Sequence, residues 1–161
     1  MRRLVSRAWR KVGNSQGTSL VEAAIITPLL LLLTFAIVDF GALFYVYMAL
    51  ENGVSVATRF AITGNTLTAP GGAALSRTES IKLAMRRATP TLTIGDGDFG
   101  FDHLAAGGAG WVSGVGGPSD VEKVSVNYRW PLMTPVIRPF FPGGEIRFHV
   151  ESAMKNEGRF E

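Results

Sequence analysis

The sequence predicts an α+β fold, a long apolar N-terminal helix followed by a small lobe with one short helix and an antiparallel sheet, and three observations carry that prediction. Ala23 to Val38 holds no charged residue, and only Thr27, Pro28 and Thr34 are neither aliphatic nor aromatic. Ser76-Arg77-Thr78-Glu79 has the spacing of a helix capping box, with Ile81, Ala84, Met85 and Ala88 on one face behind it. Two later runs alternate apolar with polar residues as half-buried strands do: Val124, Val126, Tyr128 and Trp130, then Ile146, Phe148 and Val150.

The first element is a membrane span. A hydrocarbon core about 30 Å thick needs roughly 20 apolar residues as helix, so Ala23 to Tyr47 is long enough to cross with some tilt. Arg2, Arg3, Arg7, Arg10 and Lys11 precede it, which places the N-terminus in the cytoplasm and the rest of the chain outside. A cleaved secretory signal fits less well, because its apolar region runs only about 7 to 15 residues and ends at a small-x-small site. Here the apolar stretch is longer and leaves through Asp39, Phe40, Phe44, Tyr45 and Tyr47. Pro28 removes one backbone donor within the span, which membrane helices tolerate. Gly17, followed by Thr18, Ser19, Leu20, Val21 and Glu22, has the spacing of a prepilin peptidase site.

These residues carry a family resemblance. Ser19 to Glu22 (SLVE), Thr27 to Leu33 (TPLLLLL), Val38 to Gly41 (VDFG) and Leu43 to Tyr45 (LFY) resemble the wording of TadE-like minor pilins of tight-adherence (Flp-type, type IVb) pilus systems. The resemblance covers roughly residues 15–62, with a weak echo in SAMKNE near the C-terminus. It implies a pilin-like lobe on a cleaved helix: a basic leader, residues 1–17, removed between Gly17 and Thr18; a helix over 18–64 with its span at 23–47; and a small extracytoplasmic domain over 65–161. It also implies an inner-membrane location with a periplasmic C-terminal domain, incorporated into the pilus or not. The implied partners are the bilayer, the prepilin peptidase, other pilins or pseudopilins and the assembly platform. Glu22 becomes the fifth mature residue and an ion-pair partner for the N-terminal ammonium of a neighbouring subunit. Thr18 is neither an aromatic residue nor the methionine with which type IV pilins commonly begin. The alternative is an uncleaved bitopic protein whose outer domain binds a ligand or an envelope partner.

Composition narrows the remaining classes. The formal charge is +3, but five of the 16 basic residues sit in the leader, and the remaining 11 face 13 acidic residues, so nucleic-acid binding is not implied. With no cysteine in the sequence, neither a disulfide nor a thiolate metal site is available. No G-x-S-x-G elbow or H-E-x-x-H motif is present, and His103 and His149 are the only histidines, so no enzyme, catalytic residue or cofactor is expected.

Asp39 lies 17 residues past Glu22, roughly 25 Å along a helix, near the outer interface. It reads either as an interfacial aspartate within an aromatic belt or as an intramembrane carboxylate facing a partner subunit. Beyond it, Ala49, Gly53, Ala57 and Ala61 form a small-residue stripe that either meets another subunit or seats the helix on its own lobe, and Gly64-Asn65 is the stop signal. Thr66 to Leu75 is a connection, and a helix is expected over Arg77 to Ala88 with Lys82, Arg86 and Arg87 solvated. Thr91 to Ile94 reads as a short strand. Asp96, Asp98 and Asp102 fall in a turn, because Gly100 and Gly107 stand where a calcium loop needs oxygen ligands. Ala105 to Ser119 is a glycine-rich loop that displays Trp111. Between the two strands, Pro131 to Gly144 carries four prolines together with Leu132, Met133, Val136, Ile137, Phe140 and Phe141. These side chains either cover the core or meet a partner, with Ile137, Phe140 and Phe141 as the contact candidates.

Overall fold

The computed structural model describes residues 15–135 and 137–160; residues 1–14, which hold the five basic residues of the leader, Val136 and Glu161 lie outside the described residues. The fold is α+β. Helix α1 runs Ser15–Ala61 and continues through Pro28, and α2 covers Arg77–Ala88. Four antiparallel strands follow, β1 (Phe99–Leu104), β2 (Val112–Ser113), β3 (Val121–Pro131) and β4 (Glu145–Lys155), in the spatial order β2-β1-β3-β4. The chain divides into two compact units, one ending at Ile37 and one running from Val38 onward.

In the second unit the core forms where one face of α1 meets α2 and the inner face of the sheet. Val46, Leu50, Val54, Ala57 and Ala61 recur at helical spacing and are buried with Ile81 and Met85 of α2, Val124 and Val126 of β3, and Val150 of β4. Gly53 faces α2 so closely that a Cβ there would lie 2.5 Å from Thr89 Cγ2. Gly53, Ala57 and Ala61 of the small-residue stripe are therefore buried in the chain's own core. Thr58 adds a polar stitch: its hydroxyl donates to the Val54 carbonyl at 2.8 Å and to the Ser152 carbonyl of β4 at 3.3 Å. At the end of α1 the chain turns at Gly64, φ +72°, and Phe160 packs so closely there that a side chain has no room.

Helix α2 begins and ends where its capping signals place it. The Ser76 side chain accepts from the Glu79 N–H at 3.2 Å. The two long strands pair throughout, with Val126 opposite Val150 and Tyr128 opposite Phe148. Three expectations need correction. Thr91 to Ile94 is not a strand; Leu92 and Ile94 instead tuck into the core from an irregular segment. The aspartate-rich stretch is a turn only over Asp96–Asp98, and its second half is β1, which pairs with β3 from Phe99 to Leu104. Lys82 and Arg86 are not simply solvated: Arg86 donates to the Ile94 carbonyl and binds Asp96 at 2.5 Å, and Lys82 binds Glu79 at 2.8 Å. Lys82 Nζ also lies 3.7 Å from Asp96 Oδ1, so both side chains hold the connection from α2 into β1.

Candidate functional site

The N-terminal half of α1 exposes its apolar surface on every side. Leu20, Val21, Ile25, Ile26, Leu29 to Leu33, Phe35, Ile37 and Val38 are all exposed, and none of the helix's most apolar stretch is buried inside the protein. A helix that is apolar all round needs an apolar surrounding, and this one is long enough to cross a membrane. Gly17 and Thr18 lie in the first turn of α1, and Glu22 is exposed on it about one turn further on.

Asp39 behaves differently from its neighbours. Phe40 and Phe44 are exposed, yet Asp39 is only 4% exposed, and its Oδ2 accepts the Thr134 backbone N–H at 3.1 Å. Thr134 belongs to the proline-rich segment between β3 and β4, so Asp39 and the Pro131-to-Gly144 loop, separate features in the sequence, come together here. Six residues further along α1, the hydroxyls of Tyr45 and Thr91 share a 2.9 Å hydrogen bond. Within the loop, Leu132 is buried, its N–H donates to the Gly144 carbonyl at 3.1 Å, and Arg138 Nε donates to the Leu132 carbonyl at 2.7 Å. Ile137 is half-buried, Phe141 is 39% exposed, and Phe140 stands out at 79%. The loop therefore sends Leu132 inward and Met133 and Phe140 outward.

The far end of the lobe holds a second buried carboxylate, which the sequence reading missed. Glu122 shares the strand parity of Val124 and Val126 and is fully buried. Its Oε2 accepts the Gly116 N–H at 2.7 Å and lies 3.5 Å from Arg77 Nη2. Arg77 also donates to the Ala61 carbonyl at 2.9 Å and to the Gly116 carbonyl, and its guanidinium lies 4.4 Å from the centre of the Phe160 ring. One ion pair thus ties together the end of α1, the start of α2, β3, the glycine-rich loop and the C-terminal segment. Burial pushes the Glu122 carboxyl up, opposed by the Gly116 N–H and the Arg77 charge. The same burial lowers Arg77. The missed signal was parity: alternation along β3 puts Glu122 on the buried face.

Asp96, Asp98 and Asp102 do not converge. Asp96 binds Arg86, Asp98 accepts the Gly95 N–H at 3.0 Å, and Asp102 pairs with Lys123 at 3.1 Å. Trp111 is half exposed, with the Lys123 ammonium 4.6 Å from its ring centre. The histidines also have local partners: His103 Nδ1 lies 3.0 Å from the Gly114 carbonyl and His149 Nδ1 lies 2.9 Å from Asn127 Oδ1.

Compared with protein families, residues 17–59 match the TadE-like protein family. That segment is TadE-like. The match opens on Gly17 and closes two residues before α1 does, so the family signature coincides with the long helix, including Glu22 and Asp39. Comparison with curated proteins and with solved structures returned no match.

Proposed function

We infer that this chain is a membrane-held minor pilin or pseudopilin that takes part in assembling a tight-adherence (Flp-type) pilus and its secretion machinery. The observation that carries the reading is the TadE-like match, which begins at Gly17 and takes in an apolar helix with Glu22 five residues on. In this reading a prepilin peptidase cuts between Gly17 and Thr18. The basic leader is removed and a free ammonium is left on Thr18. Glu22 then pairs with such an ammonium on a neighbouring subunit. In low dielectric, leaving either charge alone costs on the order of several kcal/mol, so the pair selects the register of assembly. The span holds the subunit in the inner membrane, with the lobe on the periplasmic side.

Amino-terminal sequencing of the protein extracted from membranes tests the processing step. A mature start at Thr18 is expected; an intact Met1 in cells with an active peptidase would overturn it and favour the uncleaved bitopic alternative. Glu22→Ala is expected to leave the processed fraction largely unchanged while pilus production falls. Normal assembly by that variant would remove the ion-pair role.

A further inference from the structure

We propose that the loop between β3 and β4 is a membrane-docking element that seats the lobe on the outer leaflet of the bilayer. The inference rests on the reading that the N-terminal half of α1 spans that bilayer. Asp39 follows the uncharged run directly. With the span entered at Ala23, a hydrocarbon core of about 20 residues ends near residue 42, so Asp39 lies at the outer boundary of the apolar layer. A carboxylate at that depth needs to be shielded and hydrogen-bonded, and the Thr134 N–H at 3.1 Å contributes to both. The bond also fixes the depth of the loop, because Thr134 cannot be far from the level of Asp39.

Two features of the loop match a lipid surface. Met133 is 64% exposed and Phe140 79%, on a segment whose prolines and internal hydrogen bonds already hold its shape. Bulky apolar side chains beside a span enter the boundary between headgroups and acyl chains. The second feature is charge. Arg129 and Arg147 stand directly opposite each other at the loop end of β3 and β4, two like charges in register, lining a cleft of about 370 Å³. Arg138 is exposed within the loop itself. Asp98 on the same cleft and Glu145, 3.4 Å from Arg147 Nε, offset part of this charge, and the three guanidiniums against two carboxylates leave a net positive charge, the sign that anionic headgroups attract. The depth set by Asp39, the exposed Met133 and Phe140 and this residual positive charge together match phospholipid as the occupant.

The chain has no cysteine, so one introduced thiol can carry a unique probe in the full-length protein. Phe140→Cys, Met133→Cys and Val112→Cys are each labelled with an environment-sensitive fluorophore and reconstituted into phosphatidylcholine–phosphatidylglycerol nanodiscs. Val112 is the reference: it is exposed and pairs with His103, which faces Glu122, nine residues and roughly 30 Å along β3 from Pro131. The labels at 140 and 133 are expected to emit at shorter wavelength, to resist aqueous iodide several-fold better than the label at 112, and to be quenched by lipids spin-labelled near the headgroup. Equal iodide quenching at all three positions overturns the proposal. Shielding at 140 without quenching by the spin-labelled lipids also overturns it, in favour of a protein partner or a second copy. A chain that fails to enter nanodiscs at all overturns the span reading and the docking with it, whereas stable insertion with a water-exposed label removes the docking alone.

Discussion

The two ends of the lobe solve the same problem with different chemistry. Each fastens an irregular segment to a regular element through a buried carboxylate that accepts a backbone N–H: Asp39 of α1 takes Thr134 of the proline-rich loop, and Glu122 of β3 takes Gly116 of the glycine-rich loop. At the Glu122 end a guanidinium completes the arrangement and the Phe160 ring covers it, so the node is closed within the chain. At the Asp39 end the fastened loop points Met133 and Phe140 outward. The difference separates a contact that holds the fold from one that presents a surface. Breaking the first should unfold the lobe, and breaking the second should release a loop.

Removing the guanidinium gives the largest expected effect. Arg77→Met keeps much of the side-chain volume and helix propensity but leaves Glu122 buried without a counter-charge and the Ala61 and Gly116 carbonyls without their donor. A broken buried pair costs about 3–5 kcal/mol. Chemical denaturation of the full chain in detergent micelles should show the loss as a lowered midpoint. A variant within about 0.5 kcal/mol of the parent would mean that this end is not the closed node described.

Asp39→Ala should cost less and act locally. It leaves the buried Thr134 N–H without its acceptor, a penalty of about 1–3 kcal/mol. Hydrogen exchange should speed up at Thr134 and through the loop, while the amides of β3 and β4 near Val124, Val126 and Val150 keep their protection. Asp39→Asn retains an acceptor oxygen and should recover most of that protection. Uniform loss of protection across the sheet in the alanine variant would make the two ends equivalent and erase the comparison.

What was legible in the sequence follows from how local each signal is. The span, the capped helix and the two long strands each announce themselves within a dozen residues, through an uncharged run, a serine and glutamate three apart, and strict alternation. The structure has the long apolar helix, the capped helix and both strands. Strand β1 was hidden because Gly95, Gly97 and Gly100 make its approach read as turn, and only pairing with β3 commits Phe99 to Leu104 to a sheet. The Asp39–Thr134 bond spans 95 positions, and no local pattern anticipates it. Glu122 lies between these cases: its parity was readable, but the partner that makes its burial tolerable is 45 positions away. Phe140 could be read as core or as surface because loop composition alone does not fix direction. The bond between the Leu132 N–H and the Gly144 carbonyl closes the loop and sorts its apolar residues.

The smallest effect concerns pH and tests the closed end without dismantling it. Glu122→Gln keeps an oxygen for the Gly116 N–H and removes the charge. Because burial raises the Glu122 carboxyl above its ordinary 4.5, the folded state holds the proton more tightly than the unfolded chain does. The contribution of Glu122 to stability is therefore most favourable below pH 4.5. It declines as pH rises from there toward the folded value and is constant above it. Glutamine does not titrate, so the variant should gain on the parent across that window, and the difference between the two cancels the titration of groups that do not feel the Glu122 charge. The gain should be small, because the Gly116 N–H and the Arg77 guanidinium both favour the ionised form and oppose burial. Denaturation midpoints of both full-length proteins at pH 4 and pH 7 measure it. If the parent instead gains on the variant as pH rises, the Arg77 attraction outweighs burial, and the pair strengthens the fold in its charged form.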